Sequence, residues 1–117
     1  MINNSTAKKF QKELNGGLVG LVLLAVLERW GEDLYGYEIA KRLAGANEGS
    51  SLFKDGSIYP VLRQLSANRL LTSRIVPSYS GPPRRYYRIT PQGRAVLAEW
   101  KRIWHNTVGF VDRFIDS

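Results

Sequence analysis

Hydrophobic residues follow a helical spacing over the first half of the chain. Residues 18–30 are apolar on almost every side and predict a buried helix that needs cover from several directions, some of it from a second subunit. A weaker helix is expected over residues 7–14, and Gly16 and Gly17 are expected to interrupt it. Residues 35–44, YGYEIAKRLA, predict a third helix with one apolar face.

Residues 54–71, KDGSIYPVLRQLSANRLL, predict a short fourth helix with two different faces. At about 100° per residue, its inward positions are Ile58, Val61, Leu62 and Leu65. Its outward positions are Pro60, Arg63, Gln64 and Ala67, with Ser57 at the edge. Small residues permit close approach to DNA, and Arg and Gln reach base edges or phosphates in the major groove. The alternative for this segment alone is an ordinary amphipathic surface helix.

After this helix the hydrophobic period changes from about 3.6 to about 2. Residues 71–79 and 84–90 therefore predict two strands, and residues 80–83, SGPP, predict the turn between them. Arg84 and Arg85 lie at the tip of this β-hairpin. A hairpin with paired arginines directly after a candidate recognition helix is typical of the wing in a winged helix-turn-helix.

The last predicted helix carries a broad apolar seam. Thr90 is its expected cap, Pro91 its first residue, and it should run to about residue 115. Its apolar residues recur every seven positions, which favours dimerisation, although packing on its own domain is the alternative. The expected dimerisation residues are Leu97, Ile103, Trp104, Val108, Val111 and Phe114.

These elements predict a mainly α fold with a small β-hairpin, namely a winged helix-turn-helix followed by a long C-terminal dimerisation helix. We expect an N-terminal helix or arm over residues 1–16, a winged-helix DNA-binding domain over residues 17–90 and a dimerisation helix over residues 91–117. The 117 residues suit one core.

Positive charge is concentrated in the middle of the chain. Residues 54–102 carry ten Lys or Arg against two Asp or Glu, whereas residues 1–53 carry six of each. A clustered excess of this kind predicts a polyanionic partner, here double-stranded DNA, rather than charge that only aids solubility.

Other classes of function find little support in the composition. The chain has no cysteine and a single histidine, His105, and it lacks metal-binding spacing, a phosphate-binding glycine loop and a nucleophile elbow. We therefore expect no enzyme activity, no metal and no cofactor.

The first residues lack the apolar core of a signal peptide, and the longest uncharged run, residues 14–27, is shorter than a membrane span of roughly 20 residues. A cytoplasmic location and no membrane partner are expected.

The chain resembles the PadR-type transcriptional regulators, in their short branch with one C-terminal helix. The residues that carry the resemblance are Tyr35-Gly36-Tyr37-Glu38-Ile39 with Leu43; Gly56-Ser57-Ile58-Tyr59-Pro60-Val61-Leu62 with Leu65; Pro83-Arg84-Arg85-Tyr86-Tyr87-Arg88-Ile89-Thr90 with Gly93 and Leu97; and a Trp in the last helix. Tyr35 stands where many members have histidine. The resemblance implies a homodimeric repressor that binds an inverted-repeat operator.

The expected DNA-binding residues follow from the recognition helix, the wing and the resemblance. They are Tyr35, Tyr37, Lys54, Ser57, Tyr59, Pro60, Arg63, Gln64, Arg84 and Arg85. Some short family members bind flat aromatic drugs between paired tryptophans at the dimer centre, while others respond to phenolic acids or to no known ligand. Trp100 and Trp104 are the positions that would hold such an effector, and their alternative role is dimer core. An RNA-binding winged helix and a membrane-surface or protein-interaction module are the competing interpretations of the basic charge.

Overall fold

The computed structural model describes residues 4–31, 33–46, 52–53 and 58–116. Four helices and a small three-stranded antiparallel sheet follow one another along these residues, in the arrangement of a winged helix. In chain order they are α1 (Asn4–Trp30), β1 (Leu34–Tyr35), α2 (Gly36–Ala46), α3 (Ile58–Ala67), β2 (Leu71–Val76), β3 (Arg84–Ile89) and α4 (Pro91–Ile115). The expected cap of α3 at Asp55 or Ser57 lies outside the described residues.

Helix α1 supplies the centre of the core. Its residues Leu23, Leu24 and Leu27 are buried against side chains from α2, α3, the sheet and the start of α4. Burying a leucine side chain of this kind stabilises the fold by about 1.5–3 kcal/mol. By length and mean hydropathy alone, Ser5–Trp30 would also suffice to cross a membrane, which the length of the uncharged run did not predict. Val19, Leu23, Leu24 and Leu27 lie in the core, whereas the rest of the apolar surface of α1 is only partly covered within one chain.

The glycine pair of α1 does not break the helix, so the expected interruption at Gly16 and Gly17 is wrong. A side chain at either position would meet nothing within 4 Å, so neither glycine is required by a close neighbour. Each glycine costs a helix about 1 kcal/mol relative to alanine. The packing of the apolar residues that follow outweighs this cost and carries the helix through.

The wing is a hairpin with an added short strand. Strands β2 and β3 pair from Leu71 opposite Ile89 to Val76 opposite Arg84, so β2 ends three residues earlier than expected. Strand β1 pairs with the other edge of β3, which gives the order β1-β3-β2. This third strand was not predicted from the sequence, which indicated a helix from residue 35 onward.

The junction between the wing and α4 is tightly fixed. The Thr90 hydroxyl donates to the Arg69 carbonyl at 2.8 Å and accepts from the Gly93 N–H at 2.8 Å, so it caps α4 as predicted. A Cβ on Gly93 would collide with the Leu70 carbonyl oxygen and approach Ile89 within 2.8 Å. Only glycine allows the helix to start this close to the sheet.

Candidate nucleic-acid interface

The outward face of α3 is polar and open. Ile58, Leu62 and Leu65 point into the core, as their helical spacing predicted, and Val61 is half-buried. The opposite positions Pro60, Arg63, Gln64 and Ala67 are all exposed. The face therefore combines a small, flat surface with two long side chains that can donate hydrogen bonds.

A groove of about 640 Å³ separates α3 from the wing. Its walls are Tyr35 in β1, Gly36 and Tyr37 at the start of α2, Tyr59 and Arg63 on α3, Tyr87 in the sheet, and the wing residues Ser78, Ser80, Gly81, Pro82, Pro83, Arg84 and Arg85. Gly36 makes this arrangement possible, because a Cβ there would lie 2.8 Å from the Tyr59 ring. Six of the ten expected DNA-binding residues thus line one concavity.

Aromatic rings hold one wing arginine in place. The Arg84 guanidinium lies 4.6 Å from the centre of the Tyr35 ring, a cation–π distance. Tyr35 in turn stacks on Tyr37 at 6.2 Å and contacts Tyr86 at 5.6 Å between ring centres. The stack links the start of α2 to the wing, so Arg84 is directed by rings rather than by an acid.

The other tip arginine is also held without a negative charge. Arg85 Nη1 donates to the Ser73 hydroxyl at 3.0 Å. Within the described part of the chain, neither Arg63, Arg84 nor Arg85 forms an ion pair with an acidic side chain. Their charges are available to a polyanion.

Asp33 neutralises a different part of the sheet. Its carboxylate pairs with Arg74 on β2 at 2.8 Å and with Arg88 on β3 at 2.6 Å. The hydrogen bonds from Arg74, and then those from Arg88, outweigh partial burial and hold the pKa of Asp33 below its ordinary value. On the opposite face of the sheet, burial raises the pKa of Tyr87, so this tyrosine stays a neutral core side chain.

The far end of the molecule is apolar and open. Beyond residue 100, helix α4 is exposed on nearly every side, and its apolar residues Ile103, Trp104, Phe110, Val111, Phe114 and Ile115 face solvent within one chain. A cleft of about 470 Å³ lies between this part of α4 and α1. Its walls are Leu14, Gly17, Leu18, Leu21, Trp100, Ile103, Trp104 and Thr107.

A family model for the PadR-like transcriptional regulators matches residues 23–99, well over half of the chain. The chain belongs to this family. The matched region runs from the core of α1 through the recognition helix and the wing into the first half of α4. The family regulates transcription by binding DNA, and this chain is accordingly a transcriptional regulator.

Solved structures of PadR-family proteins superpose on almost the whole chain. A PadR family regulator from Eggerthella lenta gives a TM-score of 0.79 at 29% identity, covering 97% of this chain and 96% of its own. The PadR-like regulator from Bacillus cereus gives 0.68 at 31% identity, covering 91% and 98%. Among sequences, an uncharacterized protein from Lysinibacillus sphaericus is 29% identical over 89% of this chain and 93% of its own length. The transcriptional regulator Rv3488 from Mycobacterium tuberculosis is 49% identical over 40% and 43%, respectively.

The remaining expected site residues of this PadR-family chain are placed unevenly. Pro60 and Gln64 are exposed on α3 outside the groove lining, and Lys54 and Ser57 lie outside the described residues. Leu97 is fully buried in the chain's own core, so it cannot face a partner, and its assignment to the dimerisation seam is corrected. Seven-residue spacing missed this because the start of α4 packs on α1 and its end does not.

Asp33 and its two arginine partners were also missed by the sequence analysis. The partners lie 41 and 55 residues away along the chain, so no local spacing connects them.

Within the described residues, no three His, Asp or Glu side chains are arranged to hold a metal ion.

Proposed function

We propose that this PadR-family regulator is a cytoplasmic homodimeric repressor that binds a pseudo-palindromic operator in double-stranded DNA. The observation that carries the proposal is the groove, which brings Arg63, Arg84 and Arg85 together around a concavity without an acidic partner in the described chain. A surface of this kind attracts the phosphate backbone, and base-reading side chains can act beside it.

Each part of the groove has its own role in this proposal. Helix α3 lies in the major groove, where Arg63 and Gln64 contact bases or phosphates and Pro60 permits close approach. Tyr35, Tyr37 and Tyr59, together with Lys54 and Ser57 near the start of α3, contact the phosphate backbone. The wing places Arg84 and Arg85 at the flanking minor groove or its phosphates.

The dimer is formed by the open end of the molecule. Five expected dimerisation residues, Ile103, Trp104, Val108, Val111 and Phe114, lie on the part of α4 that its own chain leaves largely uncovered. Phe114 is 70% exposed and Ile103 is 49% exposed, which is costly for a helix in water. A second copy covers this face and fixes the distance between the two recognition helices at about one DNA turn, roughly 34 Å.

A small aromatic or phenolic effector at the dimer centre releases the DNA in this proposal. The apolar cleft beside Trp100 and Trp104 supports it, because aromatic walls suit a flat ligand. The ligand acts by binding one dimer geometry more tightly than another, which changes the spacing of the half-sites.

Selection of bound sequences from a random duplex pool tests the operator. The expected result is an inverted repeat whose half-sites are about 10 base pairs apart, bound by two subunits. An asymmetric site bound by one subunit would contradict the dimeric repressor. Structured RNA that competes as well as the selected duplex would favour an RNA-binding role instead.

Intrinsic tryptophan fluorescence tests the effector. Flat aromatic cations and phenolic acids should quench or shift the emission of wild-type protein, and Trp104→Leu should reduce the response. No change with any member of such a series would indicate a regulator that acts without a ligand at this site.

A further inference from the structure

Three arginines share one face of the wing sheet, and one carboxylate engages two of them. The strand register places Arg84 opposite Val76 and Arg74 opposite Tyr86, while Arg88 is opposite Thr72. Because alternate residues of a strand point to the same face, the side chains of Arg74, Arg84 and Arg88 project together. This face would present three positive charges if no acid were nearby.

Asp33 holds two of these charges through separate oxygens. Its Oδ2 accepts from Arg74 Nη2 at 2.8 Å and from Nε at 3.2 Å, and its Oδ1 accepts from Arg88 Nε at 2.6 Å. The bond to Arg74 crosses the central strand, because β1 and β2 are the two edges of the sheet. Such charge-assisted bonds direct both guanidinium groups toward the carboxylate and away from other acceptors.

The two bound arginines remain close to solvent. Their side chains are 61% and 64% exposed, although both are ion-paired. Without the carboxylate, Arg88 would be a long, mobile cation on the wing, while Arg74 would keep its cation–π contact, 5.3 Å from the centre of the Tyr86 ring. Neither guanidinium would then face an acid, and each could reach a phosphate beside Arg84. The lowered pKa of Asp33 means that its negative charge is present at neutral pH.

We propose that Asp33 limits the number of phosphate contacts made by the wing. Its carboxylate keeps Arg74 and Arg88 away from the phosphates, so that only Arg84 and Arg85 of the wing contact them. The inference rests on the proposed function, because it needs the wing to lie against DNA. Phosphate contacts carry no sequence information, because every duplex presents the same backbone. Restricting the number of these contacts therefore lowers the affinity of the protein for DNA that lacks the operator sequence.

The salt dependence of binding to a random-sequence duplex tests this directly. Asp33→Asn should bind random duplex more tightly than wild type, and the slope of log affinity against log salt should steepen by about 0.9 for each arginine released. Glu99→Gln is the matched control, because it removes the same charge from an Arg102 ion pair on α4, outside the groove. The control slope should equal the wild-type slope.

The triple variant D33N/R74Q/R88Q separates charge release from damage to the wing. It leaves no unpaired charge at the cluster, and its slope should equal that of wild type. If the triple variant has a slope shallower by about 2, the two arginines already contact phosphates in wild type, and the proposal is overturned. An unchanged slope in Asp33→Asn also overturns it. Wild-type protein that binds no duplex even at low salt would contradict the proposed function instead, so the two failures are distinguishable.

Discussion

Helices α3 and α4 are both amphipathic, but only α3 has its apolar face buried by residues of the same chain. The side chains of Ile58, Leu62 and Leu65 on α3 are buried by its own domain, and its polar face lies beside the wing. Helix α4 starts in the same core at Gly93 and Leu97, yet the described residues of its own chain leave the apolar face of its second half largely exposed. In the proposed function, one subunit therefore builds the DNA-reading surface, and a second subunit fixes the spacing of two such surfaces.

Placing a charge on the exposed apolar face of α4 should have the largest effect on assembly and on DNA binding. Ile103→Glu would bury an unpaired carboxylate in the dimer, which costs about 3–5 kcal/mol. The expected result is a monomer in sedimentation velocity and a loss of affinity for the selected operator of at least about 100-fold. His105→Glu is the control, because it lies roughly opposite on the helix and should leave the dimer intact. A dimeric Ile103→Glu protein would contradict the assigned face.

At Gly93 the start of α4 packs against Leu70, which follows α3, and against Ile89 of the wing. Replacing this glycine should therefore lower the stability of the folded protein. Gly93→Ala would force a methyl group against the Leu70 carbonyl and the Ile89 side chain. Overpacking of this kind costs about 1–3 kcal/mol, which thermal unfolding followed by circular dichroism would detect. Gly45→Ala is a suitable control because a Cβ there would meet nothing within 4 Å. Equal melting temperatures for wild type and Gly93→Ala would show that the junction is looser than described.

Removing one arginine of the groove should lower the affinity for the operator without affecting dimerisation. Arg63→Ala is expected to weaken operator binding by about 1–3 kcal/mol, roughly 5- to 150-fold, with unchanged dimerisation and thermal stability. Arg102→Ala removes the same charge from α4 and should change operator affinity little. If both variants lose affinity equally, only net charge matters and α3 does not read the DNA.

A glycine on the polar side of α4 allows the open helix to be strengthened. At Gly109 a Cβ would meet nothing within 4 Å. Gly109→Ala should therefore stabilise the protein by about 0.5–1 kcal/mol through helix propensity alone, measured by urea denaturation. DNA affinity should not change, because the substitution touches neither the groove nor the apolar face. A destabilised variant would indicate that a partner backbone approaches this position.

The smallest expected effect is the acid dependence of the Asp33 pairs. Because the pKa of Asp33 is lowered in the folded protein, its contribution to stability is fully present above the ordinary value of 3.8 and is lost as the pH falls through the lowered value. Asp33→Asn should cost about 0.2–1 kcal/mol at neutral pH. In urea titrations this difference should shrink in acid below about pH 4. A difference that persists undiminished at the lowest pH would assign the effect to something other than the carboxylate charge.

Local spacing was sufficient for the helices and the hairpin and insufficient for contacts that cross the chain. The faces of α3, the pairing of the two hairpin strands and the Thr90 cap depend on neighbouring residues, and these predictions are confirmed. The connection between the strands covers residues 77–83 instead of the expected 80–83. Strand β1 has two residues, too few to show alternation, and it exists because β3 offers a free edge 51 to 53 residues later. The pairing of Asp33 with Arg74 and Arg88 depends on that same strand.

The errors in the helical regions have a common physical cause. Gly16 and Gly17 have low helix propensity, but the apolar packing of the residues that follow decides whether α1 continues. Leu97 fits the seven-residue rows of α4, but the part of the helix nearest the core is already covered by α1. In both cases tertiary packing determines the outcome, and the spacing along one helix carries no record of it.

The proposed function is that two subunits, held by α4, read one operator through α3 and the wing. It is tested most directly by a fluorescence anisotropy titration of the duplex upstream of the protein's own gene at about 150 mM salt, near physiological ionic strength, with random duplex as competitor. We predict saturable binding that survives the competitor, with two subunits per duplex. Weak binding that random DNA removes equally would contradict sequence-specific recognition and leave only the attraction of the basic groove for phosphate.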